Sequence, residues 1–140
     1  MFTTTVEHLT TLTDAFGAPL VDFYHVAADE LLFLRWYGHL TAAEIIRVAQ
    51  EGSKWRHCAY HRILNDKRET SGDWAEALPW MAYEWMPQAV AAGIRAMADI
   101  ISDDPDNKLA TQAFIRAVAP TMPVALFVNE AAALRWIRTQ

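Results

Sequence analysis

Three side chains of the kind that bind metals lie close together at His57, Cys58 and His61. Imidazole and thiolate are typical zinc ligands, but zinc sites favour cleanly paired spacing and four donors. This stretch is predicted to pass from a helix end into a strand, so the three side chains should diverge. His25 and His39 cannot be placed beside them from sequence. We therefore predict a helix-terminal histidine, a buried cysteine and a surface histidine, with no metal site.

Acidic side chains follow two of the predicted strands, with Asp66 after one and Asp103 and Asp104 after the next. The carboxyl ends of parallel strands meet at one edge of a sheet, where ligands usually bind. Carboxylates gathered there would hold Mg²⁺ or receive a basic partner. In the simpler interpretation, which we favour, Asp104 caps a helix, Asp103 is solvated and Asp66 anchors a loop.

The most polar stretch of the chain, residues 66–73, connects two apolar segments and is predicted to be a surface loop. We place the functional surface there and in the first turn of the following helix. The free amides at a helix start favour a nearby negative group. Phosphorylation of Thr70 or Ser71 would therefore place a stabilised negative charge on this surface and could regulate its contacts. The plain alternative is a connecting loop in which Arg68 pairs with a neighbouring acid. The predicted interaction residues are Asp66, Arg68, Thr70, Ser71 and Asp73.

Three tryptophans, Trp74, Trp80 and Trp85, accompany Met81 and Met86 in one predicted helix. Their spacing does not form a single helical stripe, so some should lie outside the main core. Core packing is expected for most of them. The remainder would form an apolar contact surface for a ligand or a partner.

Composition excludes several classes of protein. The chain has 140 residues, and 12 Lys and Arg against 17 Asp and Glu give a net charge of −5, which argues against binding of nucleic-acid phosphates. The hydrophobic share of 53% excludes global disorder, and the single cysteine excludes an internal disulfide. No nucleophile elbow, phosphate-binding glycine loop or dinucleotide fingerprint is present, so we predict that the protein is not an enzyme and uses no cofactor.

The start of the chain lacks a basic region followed by an apolar run, so we expect no secretory signal. No run approaches the ~18 apolar residues of a membrane helix, and we therefore expect no membrane span. A cytoplasmic location is the expectation that remains.

The elements that must position these residues begin with two apolar runs, at 20–26 and 31–37, which predict an antiparallel hairpin. Thr41 and Glu44 form a capping-box pattern that predicts a helix over 41–55. Strands are predicted at 60–65, 94–101 and 122–128.

Helices are predicted between and after those three strands. Asp73 is expected to cap the Trp-rich helix (residues 74–90), with a break or kink near Pro79 and Pro87. Asp104 and Asn129 are expected to cap the last two helices.

The predicted order is thus β-β-α-β-α-β-α-β-α. It indicates a single α/β domain with a central five-stranded mixed sheet and helices packed on it. Residues 1–18 are predicted to be an N-terminal extension, and residues 19–140 the domain.

This order, with particular residues on it, resembles the STAS-like fold (sulfate transporter and anti-sigma-factor antagonist), also called stage II sporulation protein AA-like. In particular it is similar to small stand-alone bacterial proteins of unknown role. The matching pieces span about residues 20–137 and are Trp36-Tyr37-Gly38, Ile63-Leu64-Asn65-Asp66-Lys67-Arg68, Trp85-Met86-Pro87, Ala92-Gly93-Ile94 and Ala133-Leu134-Arg135-Trp136-Ile137.

The resemblance implies a protein-interaction or signalling module. In the anti-sigma-factor antagonists, a serine near the start of the helix after the third strand accepts phosphate from a partner kinase. Thr70 and Ser71 lie in this region, but only Ser71-Gly72 matches the family's Asp-Ser-Ser-Gly run. Asp99, within the fourth predicted strand, also departs from the usual apolar residue.

We therefore predict a non-catalytic interaction or signalling module that contacts a protein partner or forms a homodimer. The alternative is a binder of a lipid-like or small apolar ligand beneath the Trp-rich helix. A closed apolar cavity under that helix favours the ligand, whereas a flat exposed apolar patch favours the partner.

Overall fold

One mixed six-stranded sheet organises the computed structural model, which describes residues 5–140. The strands lie in the sheet in chain order, β1-β2-β3-β4-β5-β6. The first three are antiparallel neighbours, and β3 to β6 are parallel neighbours. Their bounds are β1 Glu7–Thr13, β2 Pro19–Val26, β3 Leu31–His39, β4 Arg62–Ser71, β5 Ala96–Ile100 and β6 Val124–Phe127.

The sheet has one strand more than the five predicted, because β1 lies in the stretch predicted to be an extension. It pairs with β2, and Leu9 and Leu12 pack against the core. Register shifts between His8 and Thr10 and between Leu12 and Thr13 interrupt this pairing. Such irregularities break the alternation of apolar and polar residues that identifies a strand in sequence. The division of the chain at residue 18 stays a prediction.

The predicted hairpin and the first helix are confirmed. Val26 pairs with Leu31 at the closed end of β2 and β3. Helix α1 (Ala42–Ser53) begins after a capping box, in which Thr41 Oγ1 accepts from the Glu44 amide at 3.3 Å. The Glu44 carboxylate in turn accepts from the Thr41 amide at 3.2 Å.

Strand β4 corrects the prediction of a short strand and a polar loop. It continues to Ser71, so most of the stretch predicted as a loop is β-structure. The extension is possible because β3 continues beside it, pairing Tyr37 with Glu69 and His39 with Ser71. Strand pairing therefore outweighs the polar composition of this segment.

Four helical pieces form the Trp-rich helical segment (residues 75–91), which covers one face of the sheet. They are a 3₁₀ turn at Ala75–Ala77, α2 at Leu78–Trp80, a π-helical turn at Met81–Trp85 and α3 at Met86–Ala91. The expected irregularity near the prolines is thus observed. Pro87 cannot donate a backbone bond and would crowd an α-helical carbonyl before it, and the wider π turn relieves that conflict.

Two further helices, α4 (Pro105–Val118) and α5 (Glu130–Ile137), complete the fold. Asp104 and Asn129 cap them as predicted, accepting from the amides of Asn107 at 3.1 Å and Ala132 at 2.8 Å. Within residues 5–140, the helices are too short or too polar to span a bilayer.

The core has two parts, one on each face of the sheet. The larger part lies between the sheet and α1, the Trp-rich helical segment and α4. The smaller part lies between the opposite face and α5. Because strand residues alternate between faces, neighbouring residues of β4 belong to different parts of the core.

Candidate functional site

Polar side chains occupy the middle of the larger core, on three neighbouring parallel strands. We call Trp36, Asn65, Lys67 and Asp99 the buried polar network. Strand β4 places Asn65 beside Asp99 of β5, and the exposed fraction of the four residues is at most 6%. Buried polar groups of this kind are costly unless they are hydrogen-bonded.

Hydrogen bonds satisfy one half of this network. Trp36 Nε1 donates to Asn65 Oδ1 at 3.0 Å. Asn65 Nδ2 donates to Asp99 Oδ1 at 2.9 Å. The amide of Asn65 therefore bridges an indole and a carboxylate, and it fixes one oxygen of Asp99.

Lys67, the fourth member of the network, has no side-chain hydrogen bond to the other three. Its Nζ lies 3.9 Å from Asp99 Oδ2, beyond hydrogen-bonding distance. The same ammonium lies 4.4 Å from the centre of the Trp74 ring and 5.9 Å from that of Trp36. Burial lowers the pKa of Lys67, and the nearby Asp99 carboxylate opposes that shift.

A cavity of about 70 Å³ opens above the network, beneath the Trp-rich helical segment. We call it the Trp74 cavity. Its apolar lining includes Leu34, Val48, Trp85 and Phe114, and its polar lining includes Asn65, Lys67 and Asp99. Trp74 lines it as well, and Trp74 Nε1 is buried without a hydrogen-bond partner among the described residues.

The predicted interaction residues do not come together in one place. Asp66 and Arg68 lie with Arg35 on the α5 side of the sheet. Arg68 Nη2 donates to Asp66 Oδ2 at 2.7 Å and Nε donates to Oδ1 at 3.0 Å. Arg35 Nε lies 3.6 Å from Asp66 Oδ2 and Arg35 Nη2 lies 3.4 Å from Glu130 Oε1. Asp66 is thus a buried carboxylate in mid-strand.

The remaining predicted residues lie at the end of β4 and beyond it. Thr70 is buried, and its hydroxyl donates to the Lys67 carbonyl at 2.6 Å. Ser71 Oγ lies 3.2 Å from His39 Nδ1. Asp73 is exposed and accepts from the Ala75 amide at 2.9 Å. The first helical turn begins after Trp74, so Asp73 does not cap it as predicted. A role of these residues in recognition or phosphorylation stays a prediction.

Opposing influences set the pKa of Asp66. Burial raises it, but the hydrogen bonds from Arg68 and the charges of Arg68 and Arg35 outweigh burial and hold the pKa below the usual 3.8. A carboxylate with a lowered pKa stabilises the folded state above its ordinary pKa. That stabilisation disappears as the pH falls through the lowered value.

Arg68→Ala should therefore lower the free energy of unfolding by about 1–2 kcal/mol at neutral pH, because Asp66 loses a bidentate partner while Arg35 remains. The loss should be modest because the Arg68 side chain is 41% exposed and water screens its charge. Urea unfolding at neutral pH and below pH 3.8 would measure the loss, which should shrink in acid. Glu69→Ala, at an exposed neighbour, is the control; a loss that is equally large in acid would contradict this account.

The tryptophans do not form an exposed apolar patch, and most of them pack in the core as predicted. Trp74 and Trp85 are buried, and Trp80 is partly buried and packed against the core. Trp74 and Trp85 instead line the cavity. The π turn between the two prolines contributes to this arrangement, because it rotates Trp85 relative to its position in a regular α-helix.

The candidate metal ligands have other neighbours. His61 Nε2 lies 3.2 Å from Glu30 Oε2 and His61 Nδ1 lies 3.2 Å from the Gly93 carbonyl, while the His57 ring packs against Trp55. Among residues 5–140, no group of three or more His, Cys, Asp or Glu side chains is placed to hold a metal.

The expected acidic edge is also dispersed. Asp66 lies within β4 rather than at its end, because that strand is longer than predicted. Asp104 accepts from the amides of Gly72 and Asn107, at 3.0 and 3.1 Å, and thereby holds the end of β4 against the start of α4. The simpler interpretation of Asp104 as a cap is confirmed.

Sequence reasoning missed the buried polar network as a unit. Two signals were present: Asp99 interrupts an apolar strand, and Asn65 and Lys67 are two residues apart, which places them on one face of a strand. The second signal is hidden once residues 66–73 are interpreted as a loop.

The arrangement of sheet and helices defines an α/β protein of the SpoIIAA-like, or STAS-like, class of fold. One solved structure with this fold is described as the anti-sigma factor antagonist SpoIIAA in its unphosphorylated form. The two chains superpose with a TM-score of 0.56 and 16% sequence identity, over 86% of this chain and 99% of the other. The resemblance predicted from sequence is confirmed at the level of the fold. No protein-family model and no curated protein sequence matches the chain.

Proposed function

We propose that this protein is a non-catalytic module that binds a small, mainly apolar molecule in the Trp74 cavity. The observation that carries the proposal is an apolar cavity lined by Lys67 and Trp74, two residues whose side-chain donors lack an acceptor among the described residues. Trp74 Nε1 has no partner among the described residues, and the Lys67 ammonium lies beyond hydrogen-bonding distance of Asp99. Buried donors in native proteins are nearly always satisfied, so a ligand or water is expected to meet them.

The size of the cavity limits the ligand. At about 70 Å³ the cavity is well below the ~300–1,000 Å³ of sites for drug-sized molecules. Since one water needs roughly 10–15 Å³ on this scale, the cavity would hold a compound of about five or six non-hydrogen atoms, or one end of a longer molecule. A whole lipid chain would require the Trp-rich helical segment to move.

Ala49→Leu provides a test, because Ala49 lines the cavity from α1 and a larger side chain would fill it. We expect native mass spectrometry of freshly purified wild-type protein to show a bound mass. Ala49→Leu should retain at least about 10-fold less of it, and its melting temperature should not fall, since filling a cavity commonly stabilises a protein.

Ala43→Leu, at an exposed position of the same helix, is the matched control and should bind like the wild type. A wild-type spectrum without bound mass would contradict the proposal. A bound mass that Ala49→Leu retains in full would place the ligand elsewhere.

A second candidate is a module that acts by contact with a protein partner or a second copy of itself. The shared fold favours this second candidate, because the solved structure with the same fold is described as an anti-sigma factor antagonist. In this version the exposed Arg68 and Asp73 provide the contact, with regulation at Ser71. A homodimer would appear in the same native spectrum as a doubled mass. Both versions keep the expected cytoplasmic location.

A further inference from the structure

Two residues that line the Trp74 cavity, Lys67 and Trp74, have side-chain donors without an acceptor among the described residues. A lysine ammonium has three N–H donors and no acceptor, and an indole has one donor only. Lys67 Nζ has its nearest carboxylate oxygen at 3.9 Å and otherwise faces the rings of Trp74 and Trp36. A molecule that complements these groups must therefore bring a hydrogen-bond acceptor.

The charge of the site selects among acceptors. Lys67 and Asp99 carry opposite charges, so the buried pair is neutral as a whole. An anionic ligand would place a second negative charge beside Asp99, which is 1% exposed, and repulsion is strong where water is excluded. Arg56 also lines the cavity, but it is exposed and its Nη1 donates to the Gln88 carbonyl at 3.4 Å. A neutral acceptor avoids this repulsion.

The rest of the lining selects the body of the ligand. Side chains from the sheet, α1, the Trp-rich helical segment and α4 surround the space, and most are apolar. Such a lining favours hydrocarbon because each apolar contact removes surface from water. From this juxtaposition we propose that the ligand is a small neutral carbonyl compound with a hydrocarbon body, whose oxygen accepts a hydrogen bond from Lys67. This inference rests on the proposed function.

Three compounds of nearly the same size and branched shape test it: 3-methylbutan-2-one, 2,3-dimethylbut-1-ene and isobutyrate. They place a ketone, an alkene and a carboxylate at the same position. Titrations of the folded protein would be followed by the NMR signal of the Trp74 indole Nε1–H, assigned with Trp74→Phe. We expect the ketone to bind at least about 10-fold more tightly than the alkene, the effect of one hydrogen bond to a charged donor. It should also bind more tightly than isobutyrate, whose negative charge Asp99 repels.

The outcomes distinguish failure of the carbonyl inference from failure of the proposed ligand-binding function. If the alkene binds as tightly as the ketone, or isobutyrate binds more tightly, the carbonyl inference is wrong while the cavity remains a ligand site. If none of the three binds, the proposed function and this inference both fail.

A variant assigns the preference to Lys67. In Lys67→Met/Asp99→Asn the buried charges are removed together, and the preference for the ketone over the alkene should shrink, because only the neutral donors of Trp74 and the new amide remain. A ketone preference of undiminished size in this variant would overturn the role of Lys67. Should the variant fail to fold, the comparison on the wild-type protein still decides whether the site prefers a carbonyl.

Discussion

Lys67→Met is expected to lower the free energy of unfolding by about 3 kcal/mol or more. Removing one partner of a buried ion pair leaves the other charge without compensation, which typically costs about 3–5 kcal/mol. Asp99 is 1% exposed and would keep only the hydrogen bond from Asn65. The loss should lie at the lower end of that range, because the pair is 3.9 Å apart and Asn65 remains.

A double-mutant cycle tests this explanation. Lys67→Met/Asp99→Asn should be more stable than Lys67→Met alone, because the uncompensated carboxylate is gone. Urea unfolding of the four proteins in the cycle gives the coupling energy. Lys108→Met, at an exposed position of α4, is the control and should change stability by less than about 0.5 kcal/mol. A double variant that is no more stable than Lys67→Met would show that lost packing, not charge, causes the effect.

The retention of a buried charged pair is itself informative. Well-packed apolar residues of similar volume are often as stable as a buried ion pair. A cavity lined only by apolar side chains would therefore suffice for folding. The presence of Lys67 and Asp99 beside the Trp74 cavity fits a site selected for a ligand.

The parts of the fold that were predictable from sequence depend on local patterns. The hairpin of β2 and β3 has two apolar runs and a short connection, and Thr41 with Glu44 specifies a capping box within four residues. Asp104 and Asn129 likewise mark the starts of α4 and α5 as N-cap residues. Each pattern is short in the chain, so its physical cause is contained in the residues themselves.

The parts that were not predictable depend on pairing between distant segments. The second half of β4 is polar, and it is a strand because β3 lies beside it. Polar residues there have partners far along the chain, as Ser71 has in His39. Strand preference depends strongly on such neighbours, whereas local composition alone favours a loop.

The candidate site was harder to predict for the same reason. Asn65, Lys67 and Asp99 come together only after β4 pairs with β5 and the Trp-rich helical segment covers them. The sequence predicted that most of the tryptophans pack in the core and that the remainder form an apolar contact surface. Pro79 and Pro87 marked the irregular helix, but its π turn at Met81–Trp85 follows from packing that the sequence pattern does not specify.

Gly72→Ala is expected to cost at least about 3 kcal/mol, because two separate penalties apply at this position. Gly72 has a φ of +98°, which L-residues rarely adopt, and a Cβ there would lie 2.5 Å from the Leu40 carbonyl oxygen. The contact cannot relax easily, because the Leu40 amide donates to the Ser71 carbonyl at 2.8 Å and holds the two segments together.

Gly38→Ala separates the two penalties. Gly38 has a φ of +81°, but a Cβ there would meet no atom within 4 Å, so only the backbone strain of about 1 kcal/mol applies. Urea unfolding of both variants measures the difference, which should be at least about 2 kcal/mol. Equal losses would show that the segment at Leu40 moves away freely. A larger loss in Gly72→Ala would instead show that close backbone contact fixes the turn between β4 and Trp74, and with it the position of the indole over Lys67.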